Sequence, residues 1–122
     1  MYFFKPVSLS EEKKNSNGVS ECKFAYEGYI SDDPSGGCVG EIRGNYVYVT
    51  EISFPKDKPD FCEGLLRAAL NYGANRGAYM ARCGCDDAVS IMELMRFEKT
   101  DDGYYEGDIP TLLAGNCGDC GK

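Results

Sequence analysis

The sequence predicts an α+β domain, a mostly antiparallel central sheet with two helices in its C-terminal half. Three observations carry the prediction. Residues 45–54, "NYVYVTEISF", alternate with period two and are rich in aromatic and β-branched side chains, as a strand requires. From Phe61 to Arg76, the residues Phe61, Leu65, Ala69 and Tyr72 recur beside Cys62, Leu66, Leu70 and Gly73 at three- and four-residue spacing, which makes an apolar helical stripe. The strand patterns come as a group before that helix instead of alternating with helices, which separates this order from a doubly wound α/β chain.

Taken in order, "MYFFKPV" opens the chain as a short strand ending at its proline. Residues 8–21 are polar apart from Leu9 and Val19, and read as a solvated loop with room for a helical turn. "CKFAYEGYISDD" alternates weakly through Phe24, Tyr26 and Tyr29 and stops at the turn signal "DDPSGG". "GCVGEIRGN" is a further strand, and Gly44-Asn45 suits a tight hairpin turn into residues 45–54. In that long strand Tyr46, Tyr48, Thr50, Ile52 and Phe54 are expected on one face, and Val47, Val49, Glu51 and Ser53 on the other. Asp60 with Glu63 reads as a capping box for the first helix, and Gly77 as its C-terminal stop. "AYMARC", residues 78–83, is a short strand, after which Asp86 or Asp87 caps a second helix to about Arg96 with Ala88, Ile91, Met92 and Met95 inward. "FEKT", the turn Asp101-Asp102-Gly103 and "YYEGDI" make a terminal hairpin. "PTLLAGNCGDCGK" reads as a tail whose glycine- and cysteine-rich end stays out of the core. The expected organisation is therefore one domain over 1–115 and a tail over 116–122, without internal repeats.

Composition removes several function classes. With 13 Lys+Arg against 20 Asp+Glu, the net charge of −7 opposes nucleic acid and anionic membranes, and no basic, aromatic-interleaved run offsets it. No stretch approaches the roughly 18 apolar residues of a membrane span. The first residues lack the basic-then-apolar order of a secretory signal, so a soluble, cytoplasmic protein is expected. The chain has no histidine, which excludes Ser–His and Cys–His catalysis and every His-ligated metal site.

Seven cysteines are many for 122 residues, and an odd number leaves one unpaired in any disulfide framework. Cys83-Gly84-Cys85 and Cys117-Gly118-Asp119-Cys120 supply four thiols, a set that suits tetrahedral zinc if the two segments meet. The alternatives are ordinary reduced thiols with a flexible tail, or thiol redox chemistry. Cys22, Cys38 and Cys62 read as small buried hydrophobes.

The same order of elements resembles the GCN5-related N-acetyltransferase (GNAT) family. "CVGEI" is similar to that family's strand with a Val-Gly step, "YVYVTEISF" to its long central strand, and "FCEGLLRAALNYGANRG" to the helix after its acyl-CoA loop. "DDAVSIMELMRFEK" is similar to the second C-terminal helix, with Arg96-Phe97 where the family has Gly-Phe. The resemblance covers about residues 38–113. It implies an acyl-CoA-dependent N-acetyltransferase that moves an acetyl group from acetyl-CoA to an unidentified amine, on a small molecule or a peptide. On that reading the main chain of Ile52, Ser53 and Phe54 pairs with the pantetheine arm, and Lys56, Lys58, Phe61, Cys62 and Glu63 face the phosphates. Glu51 is the implied general base.

The sequence departs from the family in the chemistry-bearing places. The phosphate loop is glycine-rich in the family, whereas Asp57-Lys58-Pro59-Asp60-Phe61-Cys62 brings two carboxylates and a proline without an amide donor. Lys56 and Lys58 are phosphate partners or, more simply, solvated loop lysines balancing Asp57 and Asp60, since a lysine in a charged loop needs no ligand to explain it. The family's acid, a tyrosine five residues before the Phe, is Met92 here, which donates no proton and reads as core. Glu51 is a base if its strand face is sheltered, and an exposed strand residue if it is not; Glu41 is a second choice. The two helices that the family places between its first strands have only residues 8–21 here, so the acceptor side is abbreviated or completed by a second subunit. A homodimer fits the exposed strand edges and nine tyrosines. The competing reading, from another class, is a catalytically silent GNAT-like binding or assembly module in which a Cys-ligated metal or redox thiols matter more.

Overall fold

A computed structural model describes residues 2–7, 13–14 and 20–114. Eight strands among them form one sheet: β1 (Tyr2–Val7), β2 (Lys13–Lys14), β3 (Ser20–Ile30), β4 (Asp33–Arg43), β5 (Tyr46–Ser53), β6 (Met80–Cys83), β7 (Glu98–Lys99) and β8 (Tyr105–Asp108). The spatial order is β1-β3-β4-β5-β6-β8-β7, with β2 beside β3. Every pairing is antiparallel except β5 with β6, which run parallel. A parallel neighbour needs a crossover, and α1 (Pro59–Asn75) supplies it. The α2 helix (Val89–Leu94) and α3 (Ile109–Ala114) complete the helices of the described residues. The expected α+β class and the mostly antiparallel sheet are observed.

Core and register follow the strand periodicity. Phe24, Cys38, Ile42, Val47, Val49, Ala81 and Cys83 are buried against the buried α1 stripe, which is Phe61, Cys62, Leu65, Leu66, Ala69, Leu70 and Gly73. The second face of the sheet carries Tyr48 opposite Glu41 on β4 and opposite Arg82 on β6, all only half-buried. An antiparallel sheet tolerates one polar face because its backbone bonds are already made within the sheet. No described helix is long and apolar enough to cross a membrane.

Several local expectations are corrected. The β3–β4 turn is Ser31-Asp32, with Ser31 at φ 54, and the segment read as a turn, 33–37, belongs to β4. Its glycines serve close approach: a Cβ on Gly36 would lie 2.2 Å from the Ser53 carbonyl oxygen, and one on Gly37 2.6 Å from the Tyr26 carbonyl oxygen. Asp60 does not cap α1. Lys58 is the N-cap without a side-chain bond and Pro59 is the first helical residue, while the Asp60 carboxylate accepts a hydrogen bond from the Tyr2 hydroxyl at 2.9 Å. Neither Asp86 nor Asp87 caps by its side chain; they begin a 3₁₀ turn, Asp86–Ala88, that leads into a shorter α2 than expected. Residues 110–114, read as the start of a tail, belong with Ile109 to α3, with Ile109 and Leu112 in the core and Leu112 packed against Gly107. Most of the expected loop over 8–21 lies outside the described residues, as does the tail 116–122.

Both longer connections after helices close in the same way. After α1 the Gly77 N–H binds Ala74 O and the Ala78 N–H binds Gly73 O, with Gly77 at φ 94, the expected stop. After α2 the Arg96 N–H binds Glu93 O and the Phe97 N–H binds Met92 O, with Arg96 at φ 79. Both are Schellman closures, which place one residue in the left-handed region. Arginine there carries a Cβ clash that glycine lacks, about 1–2 kcal/mol against a glycine entropy cost of about 0.5–1 kcal/mol. Arg96→Gly is therefore expected to stabilise the fold by about 0.5–1 kcal/mol, read as a higher urea midpoint at an unchanged m-value; a lower midpoint would contradict the assignment of strain to this residue.

Candidate functional site

Strand β5 is held on both sides only as far as Val49. Beyond Val49↔Cys83, its last pair with β6, β5 continues to Ser53 with β4 alone, because β6 ends. Among the described residues no strand occupies the free edge of Thr50, Glu51, Ile52 and Ser53. Unpaired strand amides and carbonyls keep their hydrogen-bonding capacity, so such an edge accepts an extended polar ligand as it would another strand.

A bulge sits at the same point. Val39 pairs with Glu51 and Gly40 with Val49, which leaves Thr50 as the extra residue, its Oγ1 donating to Val39 O at 3.2 Å. The extra residue shifts the alternation by one position. Ile52 therefore packs toward the core opposite Cys38, and Glu51 leaves the face of Val47 and Val49 for the exposed one. The expected face of Glu51 is thus corrected: its carboxylate is solvated, not inserted among valines.

Two clefts flank the bulge. One of about 370 Å³ is lined by Glu41, Arg43, Tyr48, Thr50, Gly84 and Tyr104, among others. Here Arg43 Nη2 lies 2.8 Å from Glu41 Oε1 and its guanidinium sits 5.6 Å from the Tyr48 ring centre. Arg82 stacks 4.9 Å from the Tyr104 ring centre and is bound by Asp102 at 2.9 Å. Its Nε is 2.8 Å from Glu106 Oε1, an ion contact whose angle falls short of a hydrogen bond. Thr100 and Arg82 both bond Asp102 and hold its carboxyl below the usual carboxylate range. The second cleft, about 290 Å³, is lined by Tyr26, Cys38, Val39, Glu51, Ile52 and Ser53, among others. Nothing in the sequence marked Tyr104 or Arg82 for this region, since a turn and a separate strand bring them there; Tyr48 was marked only by its alternation.

The loop and helix start behave differently from the strand edge. Lys56 is exposed and 3.5 Å from Asp87, a weak surface pair. Lys58 is half-buried, its N–H bound to Pro55 O. The side chains of Phe61 and Cys62 are fully buried, Phe61 between the rings of Tyr2 and Phe4 at 5.3 Å each. The Phe61 N–H is bound to Lys58 O. Glu63 is paired with Arg67 at 3.0 Å, and Arg67 reaches Leu113 O at 2.8 Å. So Ile52, Ser53 and Phe54 follow the free edge, and Lys56 and Lys58 lie on the loop, while Phe61, Cys62 and Glu63 present no side chain to a phosphate.

Sulfur collects under the divergence of β5 and β6. Cys38, Cys62 and Cys83 are buried, Cys85 is half-buried, and all four are free thiols. Cys85 Sγ lies 3.8 Å from Val49 O. Burial pushes the Cys38 and Cys62 thiols up to about 12. The contact between the two thiols and burial raise Cys83, and the same contact lowers Cys85 against its own burial and the carboxylates Asp86, Asp87 and Glu51. No group of three or more potential metal ligands occurs among the described residues, and Cys117 and Cys120 lie outside them. Met92, at the position of the family's acid, is fully buried in the core.

No known family profile and no curated protein matches the sequence. Solved structures do match. A protein from Desulfovibrio desulfuricans described as a GNAT-family acetyltransferase superposes with a TM-score of 0.60 at 11% identity, over 71% of this chain and 69% of that one. The chain has the fold of the GNAT acetyltransferases. Nourseothricin acetyltransferase matches with a TM-score of 0.57 at 12% identity, over 89% of this chain and 88% of its own. PaiA N-acetyltransferase from Thermoplasma acidophilum, solved with coenzyme A, matches with a TM-score of 0.51 at 15% identity, over 70% and 60%. At such identities the likeness to GNAT structures is one of fold.

The buried thiols make stability pH-dependent. A thiol ionises near 9 when unfolded and near 12 when buried here, so its contribution is whole below about pH 9 and is lost as pH rises toward 12. Urea midpoints should hold to pH 9 and fall above it, and Cys38→Ala should flatten that fall. A midpoint independent of pH between 8 and 11 would contradict the burial of these thiols.

Proposed function

We propose that this chain is an acyl-thioester-dependent N-acetyltransferase whose donor lies along the free edge of β5. The observation that carries the reading is the end of β5–β6 pairing at Val49↔Cys83, which leaves Thr50 to Ser53 with one unpartnered edge inside a GNAT fold. The amide groups of a pantetheine arm are of the kind that would pair with Ile52, Ser53 and Phe54. The thioester end then comes to the bulge at Thr50, beside the cleft of Tyr48 and Tyr104, which is wide enough for an amine acceptor.

The residues present fit acetyl-CoA unevenly. The arm has its strand edge. The pyrophosphate lacks a glycine cradle, because Pro59 has no N–H, Phe61 uses its N–H within the loop, and Asp57 and Asp60 add negative charge. Lys56 and Lys58 are the cations left to meet phosphate oxygens. Glu51, solvated next to the bulge, takes the amine proton through water. The competing reading, a silent binding module, draws on the same missing cradle and on the buried Met92.

Calorimetry on reduced protein separates the two. Acetyl-CoA should bind, and S-acetylpantetheine should bind within about tenfold of it, or 1.4 kcal/mol, since the nucleotide end has little to hold it. Absence of heat at high micromolar acetyl-CoA would remove the enzyme reading; a hundredfold preference for the full coenzyme would instead restore a working phosphate site. In steady-state assays with a panel of primary amines, Glu51→Gln should lower kcat/KM by about 10²–10⁴-fold, as for loss of a general base. An unchanged value would move that role away from Glu51.

A further inference from the structure

The cleft beside the bulge already holds a cation, and the chain itself supplies it. Arg43 Nε lies 2.9 Å and Nη2 2.8 Å from the same Glu41 oxygen, and its guanidinium sits 5.6 Å from the Tyr48 ring centre. A carboxylate and an aromatic face are the partners that bind an organic cation. Glu41, Arg43 and Tyr48 all line the 370 Å³ cleft. Arg43 is the last residue of β4, and its side chain is 54% exposed. The second arginine on a tyrosine of this cleft, Arg82, is held more firmly. Its Nη2 bonds both Asp102 oxygens at 3.1 and 2.9 Å, Glu106 lies 2.8 Å from its Nε, and its side chain is 21% exposed. An exposed ion pair contributes little to stability, so Arg43 is the arginine that another cation can replace.

A second carboxylate stands on the same face of the sheet. Glu41 pairs with Tyr48 and Val39 with Glu51, so Glu41 and Glu51 are diagonal neighbours across β4 and β5. Diagonal neighbours in a sheet lie roughly 7–8 Å apart. Thr50, which lines the first cleft, bonds the carbonyl of Val39, which lines the second, so the two clefts adjoin along this diagonal.

We propose that the acceptor is a linear primary amine with a second cationic group about five carbons from the reacting nitrogen, the length of chain that spans the diagonal. The proposal rests on the acetyl transfer of the preceding section. The second cation displaces the Arg43 guanidinium from Glu41 and the Tyr48 ring. The reacting amine then lies at the bulge, beside Glu51 and a thioester carried along β5. Arg43 is thus an internal occupant of the cation site and competes with the acceptor. An acceptor carboxylate, by contrast, would meet Arg43 against Glu41, whose oxygen already takes two of its donors. The net charge of −7 favours the cationic acceptor as well.

The test is calorimetry of reduced, full-length protein with 1,5-diaminopentane, n-pentylamine and 5-aminopentanoate, without donor and with coenzyme A present. Steady-state acetylation of the same amines by acetyl-CoA follows. The diamine should bind at least about tenfold more tightly than n-pentylamine, as for a hydrogen bond to a charged group. The shorter 1,3-diaminopropane should lose most of that preference. Glu41→Gln should abolish it, and Arg43→Gln should enlarge it, because the internal competitor is gone. Equal binding of diamine and monoamine under both conditions, or a preference reduced by Arg43→Gln, overturns the proposal. Tighter binding of 5-aminopentanoate assigns Arg43 to an anion and also overturns it. Acetylation without diamine preference overturns the second cation and leaves the transferase reading standing. Diamine preference in binding with no acetylation overturns the transfer and the acceptor role together, and leaves a cation-binding groove. If Glu41→Gln melts early, the amine series on the parent protein and Arg43→Gln decides.

Discussion

Helix α1 lies against the sheet at a distance that only glycine permits, and the rest of the molecule is arranged around that contact. A Cβ on Gly73 would come 2.9 Å from Val47 Cβ, and one on Gly64 2.4 Å from the Phe4 ring. On the sheet side, Gly28 and Gly36 leave the room that Phe61 fills. The helix is thus pinned at its start by Phe61 between Tyr2 and Phe4, and at its end by Gly73 over β5. Close packing of this kind makes interiors intolerant of one added methyl group, because displaced neighbours lose contacts on every side. It also fixes where the crossover delivers β6, and hence where β5 loses its second partner.

The site proposed for the donor lies at that loss of pairing. A sheet normally satisfies its own backbone groups, so four residues of β5 with one free edge are an exception that the bulge at Thr50 makes sharper. Around it the charges are largely neutralised in pairs: Arg43 with Glu41, Arg82 with Asp102 and Glu106, Glu63 with Arg67. The exposed carboxylate of Glu51 stands apart from those pairs, which is why the proposed function gives it the role of base.

The helix N-terminus shows how position and chemistry separate. It follows β5 after a short loop, as a phosphate site would require, and its backbone dipole is favourable to anions. Pro59 and the internal bond of the Phe61 N–H nevertheless remove donors, and the flanking carboxylates oppose an anion. The loop serves the crossover geometry, and Asp60 serves β1 through the Tyr2 hydroxyl.

Much of the fold was legible in the chain. The stripe of α1, the alternation of β5 as far as Val49, Gly77 as a stop and the Asp101-Asp102-Gly103 turn each depend on local spacing or local dihedral preference, and each is observed. Features set by partners distant in sequence were not legible. Gly36 and Gly37 look like turn residues until Ser53 and Tyr26 press on them, and Leu112 looks like tail until Gly107 receives it. The face of Glu51 was misread because one unpaired residue at Thr50 inverts every side chain after it. Within the candidate site, the sequence by itself determined which residues lie along β5 and that no histidine takes part. Tertiary structure alone decided that the Cys85 thiol meets Val49 O and that Tyr48 and Tyr104 line one cleft. The thiol contact and the cleft each join separate strands and turns, and a period along one strand says nothing about what another brings to it.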